Sequence, residues 1–206
     1  SLHGPAGRGF AGDDKHLDFL VQIGLRNKLT PTVIVDCANK LCESGMDTLD
    51  QLRTGQLDSA PRSPELVKRQ QALFAIANKL VNYIWAHFTE LSSPFFWSQI
   101  ADVSFVPVVF QGKRLLARYR SLAVWTDRHL GWTVVPVLSE AQSPPKVCHE
   151  RLGIKSPPAW PVVLSHLRQI TALPLDSWDG AHREVSFTVG SPLSVFCDVF
   201  TYLDAN

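Results

Sequence analysis

Residues 63–91 read SPELVKRQQALFAIANKLVNYIWAHFTEL. Ser63-Pro64 is a helix start: a serine hydroxyl can cap the first free N–H groups, and proline suits a first turn, where its missing N–H is not needed. Downstream, apolar residues recur at Leu66, Leu73, Ala77, Leu80, Ile84, Phe88 and Leu91. Their spacings, threes, fours and a seven, mark one continuous helix face. Val67, Phe74, Val81 and Trp85 add a stripe beside it. A face this wide is expected to bury itself against more than one neighbour. At 1.5 Å per residue the helix would be about 40 Å long, a spine for a domain.

The same start signal recurs at Thr30-Pro31, Ser93-Pro94, Ser156-Pro157 and Ser191-Pro192. Repeated Ser/Thr-Pro starts predict a mainly helical chain. Residues 93–101, SPFFWSQIA, read as a short helix. Val103 to Phe110 is a β-branched and aromatic run that Gln111-Gly112-Lys113 can turn into 114–119. This predicts a hairpin, with Pro107 demoting its first strand to an edge. Residues 121–138 read as irregular extended structure, followed by helices at about 144–152 and 159–171. Residues 174–190 read as loop with a strand at Glu184–Val189, and a last helix places Leu193, Phe196, Phe200 and Leu203 on one face. The expected fold is mainly α with a small β-hairpin (α+β), a helical domain built around the long central helix.

Outward from this frame, residues 1–14 are Gly-rich and expected to be a disordered lead, with one domain over 15–206. Leu17, Leu20 and Val21 fall at helical spacing, with Gly24 placed to stop that helix. Residues 45–62, GMDTLDQLRTGQLDSAPR, are polar with Gly and Pro and read as a mobile loop. A motif occurs twice: IGLRNKLTPTVIVDCANKL at 23–41 and LGIKSPPAWPVVLSHLRQI at 152–170. Each runs apolar–Gly–apolar–basic into a Ser/Thr-Pro step and a helix. The loop lengths differ, so Gly24 and Gly153 read as two joints in one helical domain rather than as tandem units.

The 206 residues are 45% apolar and 19% charged, with a formal net charge of +1. That balance provides no electrostatic footprint for nucleic acid and no polybasic membrane patch. No stretch reaches the roughly 18 apolar residues of a membrane span, and the N-terminus has no apolar signal core. The missing initiator Met leads us to expect a segment of a longer polypeptide. Cys37, Cys42, Cys148 and Cys197 show no CxxC spacing. Cys37 and Cys42 would point about 140° apart on a helix. Reduced cytoplasmic thiols are the simplest reading.

Chemistry-bearing patterns are sparse. GRGFAG at 7–12 matches G-x-G-x-x-G, but only six residues precede it, too few for the strand that fingerprint needs. Cys148-His149 places a thiol beside an imidazole in sequence, yet adjacent helical residues diverge by about 100°. The seven His form no HExxH and no i,i+4 pair, and His166 reads as a satisfied core residue. Trp85, Trp97, Trp125, Trp132 and Trp160 lie in apolar runs and are expected to pack in the core. Asp127-Arg128-His129 is the most charged spot in a hydrophobic stretch, readable as an acid/base pair, a polar contact site or a solvated turn between Trp125 and Leu130. No catalytic, cofactor-binding or metal-ligating residue is assigned.

The order of motifs resembles one known family. SPFFWSQIADVSFVPV (93–108), TDRHLGWTVVPVL (126–138) and LGIKSPPAWPVVLSHLRQI (152–170) are similar, in sequence and spacing, to successive steps of sacsin-like giant chaperones of plant or algal type. FLVQIGLRNKLTPTVIVDCANKL (19–41) resembles the stretch before them. The resemblance covers about residues 17–203. It implies a segment of an internal repeat, downstream of a GHKL-type ATPase head. Such a head needs a Glu/Asn-bearing helix, an Asp-x-Gly-x-Gly turn and a Gly-rich lid; the sequence contains none. ATP and Mg²⁺ are therefore implied for the parent chain only.

The expected function is a non-catalytic scaffold or client-handling segment in the cytoplasm. Its implied partners are other repeats of the parent chain, unfolded or assembling clients and other chaperones, with no nucleic acid and no membrane. Candidate contact residues are Leu115, Leu116, Tyr119, Trp125, Asp127, Arg128 and His129. The alternatives are a helical protein-interaction adaptor, or a cysteine-dependent hydrolase using Cys148 or Cys37 with a distant His.

Overall fold

The computed structural model describes residues 29–57, 63–91, 93–173 and 191–205. All elements below belong to the unit Pro31–Asn206. The Gly-rich lead, the helix expected before Gly24, the first Gly of the doubled motif and the strand expected at Glu184–Val189 lie outside the described residues.

The molecule is mainly α with one small hairpin. Helix α1 spans Pro31–Cys42 and buries Ile34, Val35, Ala38 and Leu41. The short helix α2, Leu49–Arg53, follows. The central helix α3 runs Pro64–Ala86, and the Ser63 hydroxyl caps it by accepting from the Leu66 N–H at 3.3 Å. Its 23 residues make it about 34 Å long. It stops short of the expected Leu91 because the chain breaks at His87, and the one-turn helix α4, Phe88–Leu91, carries Leu91 into the core. Burial on α3 concentrates at Ala77, Leu80, Val81 and Ile84, whereas Leu66 and Val67 at its start remain exposed.

Helix α5, Pro94–Ala101, is capped by the Ser93 hydroxyl and buries Phe96, Trp97 and Ile100. Trp97 stacks on Trp85 of α3, ring centroids 5.7 Å apart. Strands β1 (Val106–Phe110) and β2 (Lys113–Ala117) pair antiparallel, from Val106 opposite Ala117 to Phe110 opposite Lys113. Their turn residues Gln111 and Gly112 both have positive φ, the two-residue geometry whose twist matches that of the strands. The Gln142 side-chain amide locks this hairpin to the spine, donating to Asn78 Oδ1 at 2.8 Å and to the Pro107 carbonyl at 3.2 Å.

The expected mobile loop at 45–62 is ordered over 45–57. Thr48 and Gln51 form a reciprocal capping box that starts α2. Met46 and Leu49 are buried, and the Leu116 N–H donates to the Asp47 carbonyl at 2.8 Å. The segment thus covers the outer edge of β2, an edge that otherwise presents unpaired backbone groups. Residues 58–62 lie outside the described residues.

Ser156-Pro157 starts no helix. Helix α6 begins at Trp160, after the uncapped Ala159, and runs to Ala172. Pro158 disfavours helical backbone at Pro157, which delays the helix beyond the proline pair. The last helix, α7, spans Pro192–Ala205 with Ser191 accepting from the Ser194 N–H at 3.3 Å. Two hydrophobic clusters result. The large one joins α1–α5 and the hairpin; the small one joins Trp132, Val163, Ile170, Val195 and Val199 between α6, α7 and the loop at 125–137.

Candidate functional site

Residues 121–138 are less extended than expected. Ala123 and Val137 form an isolated parallel bridge, with the Ala123 N–H on the Pro136 carbonyl and the Leu138 N–H on the Ala123 carbonyl. The bridge closes a loop whose first part is a 3₁₀ turn, Trp125–Leu130. The Trp125 N–H donates to the Ser143 hydroxyl at 3.0 Å, fixing where the turn begins. Helices α6 and α7 both pack against this turn.

His166 of α6 anchors the loop from beneath. It is fully buried, and its Nε2 lies 3.0 Å from the His129 carbonyl oxygen. A carbonyl only accepts, so Nε2 carries the proton. Nδ1 is then the acceptor for the Thr133 hydroxyl at 2.7 Å. Trp132 stands edge-on to the ring, centroids 5.7 Å apart. Burial lowers the His166 pKa to about 4, the neighbouring His129 side chain also disfavouring charge. His166 is thus a neutral structural strut with both nitrogens committed, as expected of a satisfied core histidine.

The sequence-predicted contact residues separate into two groups. Leu115, Leu116 and Tyr119 are buried in the large core, so they offer nothing to a partner of the folded chain. The outward-looking pattern KRLLARY misleads because the backbone at 47–48 pairs with the edge of β2 at Leu116 and Tyr119 packs edge-on to Trp85 and Phe105. Burial also pushes the Tyr119 hydroxyl pKa well up. Trp125, Asp127, Arg128 and His129 lie together in the turn and are half-buried. The Arg128 guanidinium stacks 4.7 Å over the Trp125 ring and donates to the Trp125 carbonyl at 3.0 Å. Asp127 accepts from the Thr126 hydroxyl. Burial lowers the His129 pKa, helped by Arg128 and opposed by Asp198 of α7.

One feature of this turn had no sequence signal. Asp127 Oδ2, Arg128 Nε, His129 Nδ1 and Trp132 Nε1 are shielded from solvent and have no hydrogen-bond partner among the described residues. An unpaired buried polar group costs about 1–3 kcal/mol. Four within six residues concentrate this cost in one loop.

Helix α7 also departs from its expected orientation. It buries Val195 and Val199, with Phe196, Tyr202 and Leu203 half-buried beside them. Leu193 and Phe200 turn outward, 73% and 57% exposed, with exposed Cys197 between them. The i, i+4, i+7 spacing of Val195, Val199 and Tyr202 was a second apolar face in the sequence, and it is the one the small core takes. Trp160 is likewise not a core residue: at the first position of α6 it is 43% exposed.

All four cysteines are free. Cys148 is buried and burial raises its thiol pKa, the reverse of what an activated nucleophile needs. The adjacent imidazole Nε2 of His149 bonds to the Pro144 carbonyl at 3.1 Å. Among the described residues, no group of three or more His, Cys, Asp or Glu could hold a metal ion, and no helix is long and apolar enough to cross a membrane. Compared with protein-family models, curated proteins and solved structures, the chain matches none.

Proposed function

We propose that this chain is a non-catalytic protein-binding module that handles client segments through its C-terminal lobe. The observation that carries the reading is the outward row Leu193, Cys197 and Phe200 on a helix whose opposite face is already packed. Exposed large apolar side chains in a row suit transient contact with apolar segments of another chain. The motif order shared with sacsin-like chaperones supports the same reading, as one repeat segment of such a parent. In that setting ATP and Mg²⁺ act at a head elsewhere in the parent, in the cytoplasm and beside other chaperones.

Hydrogen–deuterium exchange during mixing with a chemically denatured protein tests this. Protection over residues 193–200 is expected, with loss of protection in Leu193→Asp/Phe200→Asp. Unchanged exchange there would refute client handling.

A second reading, an adaptor for one folded partner, is favoured by the turn at 125–132. Its half-buried Asp127, Arg128 and His129, with Arg128 held on Trp125, offer a partner charged groups in fixed geometry. Protection at 125–132 with a single folded partner, and none with denatured protein, would select the adaptor.

A further inference from the structure

A cleft of about 260 Å³ opens where α2, the end of the hairpin and the start of α6 meet. Its walls divide by chemistry. Leu122, Ala123, Val135, Pro158, Ala159 and Val162 form an apolar floor. Arg53, Arg120 and Lys155 line it from three separate segments, and no acidic residue does.

The charge is only partly compensated. Arg120 pairs with Asp102 outside the lining at 2.8 Å. Neither Arg53 nor Lys155 makes an ion pair among the described residues. Two unpaired cations therefore border one cleft in a chain whose net charge is only +1. Helix α6 adds to the field: it begins at this cleft with no side-chain cap and no acidic residue in its first turn.

We infer that this cleft binds a small organic anion, with the head group between Arg53 and Lys155 and a short apolar body on the floor. The volume, room for roughly nine waters, lies just below the range typical of drug-sized ligands, so the body is a short chain of a few carbons. Polar groups fix the head and apolar area supplies the affinity, the usual division of labour in small-molecule sites. Because the lining draws on both Leu122 of the large core and the start of α6, an occupant would also tie the large core to the C-terminal lobe. The inference is independent of the protein-binding role.

Backbone amide NMR of the chain, titrated with hexanoate, tests it. Saturable shifts are expected at Ser121, Ala123 and Val162, weakening as salt is raised. Hexanol should bind less tightly, lacking the head, and inorganic phosphate should also bind less tightly, lacking the body. Arg53→Ala/Lys155→Ala, at exposed positions, should weaken hexanoate about fivefold. Ala159→Trp keeps both cations and fills the floor, and should abolish saturation. Equal binding of hexanoate and hexanol, equal binding of phosphate, or unaltered affinity in the double variant would each overturn the assignment.

Discussion

The large core and the C-terminal lobe solve burial in opposite ways. Among the described residues, 28 buried hydrophobic residues form the large cluster and five the small one. Yet the lobe and its loop carry four of the six buried side-chain atoms without a partner, against Trp85 Nε1 and Tyr119 hydroxyl in the large core. The large core has apolar area to spare and tolerates two such groups in an aromatic stack. The lobe has little apolar area and is held by directed polar contacts, above all those of His166. A region built this way opens more readily.

The largest expected effect lies in the large core. Trp97 is fully buried, stacked on Trp85 and edge-on to Phe96. Trp97→Ala should cost about 3–5 kcal/mol and bring down the large core and the lobe together in one denaturant transition. If the lobe alone loses structure, the two regions are not coupled as their shared loop implies.

Acid is the sharper probe of the lobe. The unfolded chain protonates His166 near pH 6.5, but the folded chain does so only near 4. The folded state therefore binds fewer protons in this window, and stability falls as pH drops from about 6.5 to about 4. The full loss is on the order of 3 kcal/mol. Urea melts at pH 7 and pH 4.5 should differ by most of this amount, and His166→Gln should flatten the difference. An unchanged slope in the variant would assign the acid sensitivity to other groups.

Removing one bond tests the same strut without charge. Thr133→Val keeps the shape but leaves His166 Nδ1 unsatisfied, and should cost about 1–3 kcal/mol. Amide exchange should rise first over residues 125–133 and α6. A uniform rise across α3 would mean that the lobe has no separate opening.

This contrast also explains what was legible beforehand. The spine, the hairpin, the helix start at Pro31 and the capped starts at Ser63, Ser93 and Ser191 could be read because they rest on local spacing and local hydrogen bonds. So could His166 as a core residue, from the apolar helix around it. The cover over β2 could not, since it lies in a polar stretch and the partner of its Asp47 and Thr48 backbone, Leu116, is far along the chain. That cover meets Leu116, while Tyr119 is interior because it packs edge-on to Trp85 and Phe105. The capping box Thr48-x-x-Gln51 was the local clue that the stretch was structured. The face of α7 was ambiguous for another reason. Two apolar stripes compete, and only the position of Val163 and Ile170 on α6 decides between them.

The smallest expected effect on stability separates packing from contact on that helix. Leu193 and Phe200 are exposed, although Phe200 stacks on half-buried Phe196 at 6.5 Å. Leu193→Asp should therefore change stability by no more than about 0.5 kcal/mol. Phe200→Asp should cost slightly more, through the lost ring contact. Val199→Asp, next to Phe200 in sequence but on the packed face, should instead unfold the lobe by burying an unpaired charge. If the outward row binds other chains, Leu193→Asp loses that binding while its melt stays that of the parent chain. If Leu193→Asp melts like Val199→Asp, the row is part of the core, and the lobe has a single buried face extending around the helix.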